Sequence, residues 1–207
     1  MNQIVSYASF GVQHPVEPQA HRFTAAEVNL LAEHGFFGER RVELINGEVF
    51  EMPGEGELHQ GLRELIQNDL VLWLGQHRPR MYVVGTNGPI RLDDENEPEP
   101  DIYVRPRSMP LSEVHGADSL LVIEIASTSH AHDFGRKQPM YARFGAAELW
   151  IIDAVKEVTV VHRGPGADGS WREMVRTPVD TPVSPNAFSG YVFRLSDHLA
   201  ELRGAAG

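Results

Sequence analysis

The sequence predicts an α/β (α+β) fold in which helices flank a mixed central β-sheet. Three observations lead there. "HQGLRELIQNDLVLWLGQH" places Leu62, Leu65, Ile66, Asp69, Leu70 and Trp73 mostly at helical spacing. A series of short β-prone runs follows, the most apolar being "SLLVIEIAS". A second helical segment then separates that run from further strands, an order typical of sheets with helices packed on them. The chain has 207 residues, enough for one domain with a sizeable core. Residues 21–207 read as that domain, and residues 1–20, which lack periodicity, read as a flexible amino-terminal arm.

Taken in order, "FTAAEVNLLAEHG" reads as a short helix. Thr24 is its N-cap, Glu27 completes a capping box and Gly35 is its stop. "RVELINGEVFEM" reads as a hairpin, with Val42–Ile45 and Glu48–Met52 as strands and Asn46-Gly47 as a two-residue turn. After the long helix come four strand candidates, "RMYVVG", "GPIRL", "PDIYVRP" and "SLLVIEIAS", with the acidic stretch "DDENEPEP" as a solvated connection. "DFGRKQPMYARFG" is a helix whose Pro139 fits only the first turn, where N–H groups have no partner, or else marks a kink. "AELWIIDA", "EVTVVHR" and "WREMVRTPV" are strands, "GPGADGS" is a turn, and "GYVFRLSDHL" is a strand followed by a last short helix.

Composition excludes several classes. No apolar run approaches the roughly 20 residues of a membrane span, and the first residues lack the basic and apolar regions of a signal peptide. The chain has no cysteine, which removes disulfides and thiolate metal sites and fits a cytoplasmic location. Net charge is −11, from 29 acids and 18 bases, so the chain is not a general nucleic-acid coating protein, although a local basic groove remains open. Lys137 and Lys156 are the only lysines.

Glu124 sits within Leu120, Leu121, Val122, Ile123 and Ile125. An unpaired ion in an apolar interior costs several kcal/mol, so such a group is neutralised, paired or bound to a metal. Glu124 could face solvent on a half-exposed strand, or pair with an arginine. A second acid, Asp101, follows Pro100 at the start of "PDIYV". If the two strands are neighbours, the carboxylates meet at one sheet edge, where a divalent cation would relieve their repulsion. Mg²⁺ needs only one or two protein carboxylates. Lys137 lies 13 residues after Glu124, far enough along to return over the strand end. Asp133 and Tyr141, four residues to either side, would share its face if the helix extends that far. A lysine there could orient a water and offset charge on a phosphate; it could equally be a surface lysine paired with Asp133.

"VELINGEV", "HQ" opening a helix, "PDIYV", "LVIEIAS", "D…K…Y" and "AELWIID" occur in this order. The set resembles the Uma-two family, within the PD-(D/E)xK restriction-endonuclease-like superfamily, from about Phe23 to about Leu199. The resemblance implies a restriction-endonuclease-like fold and an endonuclease that hydrolyses DNA with Mg²⁺ or Mn²⁺. It implies Asp101 and Glu124 as metal-binding acids and Lys137 as the catalytic lysine. In the simplest superfamily pattern the lysine lies two residues after the acid, where this chain has Ala126; Lys137 matches a lysine moved to the following helix. Glu43 matches a first-strand glutamate that could join the site, and His59 a histidine that could line it. Pro139 departs from the pattern.

Other readings remain open here. Glu43 could be a surface acid of the hairpin, and His59 a polar neighbour of a helix start. His130 and His132 form an H-x-H pair that a transition-metal hydrolase could use, though no third ligand at a fixed spacing accompanies it. Trp150 and Tyr141 read as core. Arg105, Arg107, Arg136 and Arg143 could form a phosphate-binding rim or a solvated surface. The fold could also be a catalytically silent module that binds nucleic acid or protein. A homodimer would suit an enzyme that cuts two strands.

Overall fold

Thr24 opens the first helix as its side chain predicts. In the computed structural model, which describes residues 19–110, 113–126 and 133–205, α1 spans Ala25–Glu33. Thr24 Oγ1 accepts from the Glu27 amide at 3.3 Å, and the Glu27 carboxylate accepts from the Thr24 amide at 2.8 Å. Gly35 ends the segment at φ +73°, where a Cβ would be strained. Thr24→Ala is expected to lower stability by about 1 kcal/mol. A urea midpoint equal to that of the parent would show that the cap contributes nothing. The expected arm lies outside the described residues except for its last two positions, and so do His130 and His132.

The hairpin forms as expected, with β1 (Val42–Ile45) and β2 (Glu48–Glu51) antiparallel. Asn46 and Gly47 both take positive φ, 51° and 69°, the geometry a tight two-residue hairpin turn requires. The long helix α2 covers Glu57–His77 and buries Leu62, Ile66, Leu70 and Leu74.

Six strands make the main sheet: β3 (Tyr82–Thr86), β4 (Ile102–Pro106), β5 (Leu121–Ala126), β6 (Glu148–Asp153), β7 (Val158–Pro165) and β8 (Trp171–Pro178). They lie in sequence order. All neighbours pair antiparallel except β5 and β6, which are parallel. A parallel pair needs a crossover; here it includes a π-helical turn, Asp133–Lys137, and α3 (Gln138–Arg143). The last helix, α4, spans Leu195–Ala205. No helix among the described residues is long and apolar enough to cross a membrane.

Side chains alternate across the sheet and divide the core in two. Ile102, Val104, Leu121, Ile123, Ile125, Trp150 and Ile152 pack with α2 and with Leu195 and Leu199 of α4. On the opposite face Tyr103, Val122, Ala126, Leu149 and Ile151 pack with Ile45 of the hairpin and with Met140 and Tyr141 of α3. Strand β5 is buried on both faces, hence its unbroken apolar run. Glu124 lies between Val122 and Ala126 and therefore faces α3 and the hairpin.

Three segments differ from expectation. "GPIRL" is not a strand. Ile90 and Leu92 are buried, but their amides donate to Pro98 O and Asn96 O, each at 2.9 Å, so the segment pairs with its own connection. That connection is not simply solvated either. Asn96, Pro98 and Pro100 are buried, and Glu97 exchanges backbone hydrogen bonds with Leu44 of β1. "GYVFRL" forms only a bridge, Val183 to Phe193, before α4 begins. In both misread strands two alternating apolar residues satisfied a strand pattern too short to determine a sheet partner.

His162 of β7 is fully buried, and its Nε2 has no hydrogen-bond partner among the described residues. Burial pushes its pKa below 6.5, while carbonyl contacts from Leu149 and Val160 pull it up less strongly. The unfolded chain thus takes a proton at a pH where the folded one does not. Stability should hold above about pH 6.5 and fall as the solution is acidified below it. His162→Leu should flatten that loss in denaturation scans between pH 7.5 and 5; an unchanged slope would refute the assignment.

Candidate functional site

Asp101 immediately precedes β4, which pairs with the strand that carries Glu124. Strands β4 and β5 pair Ile102 with Ile123 and Tyr103 with Val122, and one further step along this register brings Asp101 opposite Glu124. Asp101 Oδ2 accepts from the Ile125 amide at 2.6 Å, which fixes the carboxylate against the end of β5.

Glu124 is satisfied from α3 and the turn before it. Its Oε1 accepts from Tyr141 Oη at 2.7 Å and lies 3.2 Å from Lys137 Nζ. The same ammonium lies 2.6 Å from Glu43 Oε1, and Glu43 Oε1 also accepts from the Glu99 amide at 3.0 Å. Residue exposures are 1% for Glu43, 2% for Glu124 and Lys137, and 7% for Asp101. One buried ammonium thus serves two buried carboxylates. The chain's other lysine, Lys156, is exposed and pairs with Asp153 at 3.3 Å. Burial alone does not make an acid special. Glu148 of β6 is buried as deeply and is held by Arg163, Trp150 Nε1 and the Asn186 amide.

Local sequence explains how Lys137 arrives. The π-helical turn ends at Lys137, and α3 begins at Gln138 with Pro139 in its first turn, where the missing N–H costs no helical bond. The proline is accommodated at a change of helix type, not by a kink within α3. Lys137 and Tyr141, four residues apart, both reach Glu124, as the shared-face expectation required. The side chain of Asp133 lies outside the described residues.

His59, in the first turn of α2, meets Asp101 from another direction, with Nε2 2.8 Å from Oδ1. Burial pulls the His59 pKa down, but the hydrogen bond to Asp101 and the charges of Asp101 and Glu55 outweigh it. The imidazole therefore titrates above its ordinary 6.5. Glu55, which the sequence reading missed, completes a group: ligand atoms of Glu55, His59 and Asp101 all lie within 4.8 Å of one another. The four-residue spacing of Glu55 and His59 was the available signal. Glu55 is also paired with Arg41 and with Arg63, the latter at 2.9 Å.

Of the two readings left open for Arg105, Arg107, Arg136 and Arg143, a rim or a solvated surface, neither describes all four. Arg105 is buried, and its guanidinium donates to the carbonyls of Pro106 and Met109. Arg136 lies over the Phe50 ring at 4.5 Å and pairs with Glu48 at 3.3 Å. Arg107 and Arg143 are exposed. Trp150 and Tyr141 are core residues, as expected, and Tyr141 also donates to Glu124.

The donor chemistry fits a hard divalent cation. Two carboxylates and an imidazole, from Glu55, His59 and Asp101, bring ligand atoms within 4.8 Å of one another, and oxygen donors of this kind suit such an ion. A mixed sheet with two acids on neighbouring strands and a lysine on the following helix defines a restriction-endonuclease-like fold. Residues 26–196 match the model of the Uma2 family, described as "Putative restriction endonuclease", and the chain belongs to that family. A crystal structure from Anabaena variabilis, of "a putative nuclease belonging to DUF820", superposes with a TM-score of 0.68 at 16% identity, covering 86% of this chain and 98% of that one. No curated protein matches the sequence.

Proposed function

We propose that this protein is a divalent-metal-dependent endonuclease that hydrolyses DNA phosphodiester bonds, in the cytoplasm, with two copies serving the two strands of a duplex. The observation that carries this reading is the Lys137 ammonium held between Glu43 and Glu124, one register step from Asp101. Asp101 and Glu124 would hold Mg²⁺ or Mn²⁺, which when bound supplies Lewis acidity toward a phosphate oxygen and lowers the pKa of water. Lys137 donates from Nζ toward the attacking water and offsets the negative charge that grows on phosphorus. Glu43 keeps that ammonium charged and in place. Tyr141 orients Glu124 through Oε1, and His59 with the Ile125 amide orients Asp101.

The test is incubation of the purified protein with supercoiled plasmid and Mg²⁺ or Mn²⁺. Nicked and linear products that vanish with EDTA are expected. The strongly acidic net charge favours one rival, a catalytically silent module that binds nucleic acid or protein. Intact plasmid, together with no binding of either ion at millimolar concentration by correctly folded protein, would establish that rival.

A further inference from the structure

Beside the proposed centre, Glu55 occupies the guanidinium groups of Arg41 and Arg63. Those arginines are also anchored elsewhere. Arg63, buried on α2, bonds to the side-chain oxygen of Asn87, and Arg41 lies 3.1 Å from Glu99. Both therefore stay in position if Glu55 leaves. Glu55 itself sits in "PGEG", between two glycines that nothing local demands. A Cβ on Gly54 or on Gly56 would meet no atom within 4 Å, and neither residue has left-handed backbone. What glycine supplies here is freedom of the chain. The carboxylate sits on two cations that each have a second partner, on a stretch whose flanking glycines widen the backbone conformations open to it.

We propose that Arg41 and Arg63 form a phosphate-binding fork for a nucleic-acid backbone, and that Glu55 is an internal stand-in for that phosphate, displaced when the strand docks. Each guanidinium reaches Glu55 through Nη1, and a phosphate oxygen accepts the same charge-assisted bond from each. The fork lies where a strand with its scissile group at Asp101 would place a neighbouring phosphate, since Glu55, His59 and Asp101 lie within 4.8 Å of one another. This much rests on Asp101 marking the reaction centre. On a chain of net charge −11 long-range attraction to nucleic acid is absent, so anchored local cations must supply the contact. Glu55 keeps those cations neutralised until a competing anion arrives.

The test is fluorescence anisotropy with a labelled duplex oligonucleotide in EDTA, so that binding is read without cleavage. Glu55→Gln should tighten Kd roughly threefold to tenfold, because a competitor for charge-assisted bonds is removed. Glu57→Gln removes the same charge from an exposed neighbour and controls for net charge; it should leave Kd within about twofold, as a solvent-screened charge does. Arg63→Gln should weaken binding about tenfold and lower the slope of log K against log salt by about 1. Arg41→Gln, at a half-exposed side chain, repeats that arm if Arg63→Gln does not fold. Glu55→Gln binding no tighter than Glu57→Gln overturns the proposal, as does a duplex that binds none of the variants. Plasmid cleavage with metal is read separately, so the nuclease reading stands or falls on its own result.

Discussion

Lys137→Met should destabilise the protein by about 3–5 kcal/mol, the loss that follows when one partner of a buried ion pair is removed and the other charge stays. Two carboxylates stay behind in this case, Glu43 and Glu124, each nearly inaccessible to water. Methionine preserves most of the side-chain volume, so the change isolates charge from packing. The double variant Glu43→Gln Lys137→Met removes one of the stranded charges and should recover part of the stability. Neither variant should cleave DNA, because Nζ is gone from both. Urea denaturation supplies the check: a Lys137→Met midpoint equal to that of the parent would mean that the three groups are not electrostatically coupled.

Asp101→Asn should leave the fold nearly untouched and lower the cleavage rate at least about a hundredfold, equivalent to roughly 3 kcal/mol of lost transition-state stabilisation. The substitution is mild because asparagine keeps an oxygen for the Ile125 amide while losing the charge a cation needs. His59 offers an independent readout. Its pKa lies above 6.5 through Asp101 and Glu55 despite burial, so its imidazole should titrate at lower pH in the variant, measurable by NMR. Cleavage at the parental rate would remove Asp101 from the chemistry. An unmoved His59 titration would remove the pair described here.

The parts legible in the sequence were those where one residue broke a strong local rule. Glu124 stood out because a carboxylate interrupts an apolar run, and Lys137 because lysine is scarce. Asn46-Gly47 and the Thr24 cap were legible because their backbone geometries admit few residue types. Glu55 was not, since it lies among other acids and acquires meaning only from arginines 14 residues before it and 8 after it in the chain. The misread strand at 88–92 failed for a related reason: Ile90 and Leu92 alternate correctly, but their hydrogen-bond partners are Asn96 and Pro98. Alternation records which side chains are buried and says nothing about what the backbone pairs with.

The bridge between Leu44 and Glu97 joins the strand that carries Glu43 to the lead-in of the strand that carries Asp101, and Glu99 extends the tie by donating its amide to Glu43. The acidic stretch is thus a strut of fixed length. One residue inserted between Asn96 and Pro100 would slide the hairpin against the sheet edge and misalign the two acids, although every side chain named above would still be there. Amide hydrogens of Glu97 and Glu99 should exchange slowly in the parent and fast in such an insertion variant, reporting the slippage even before any substrate is added.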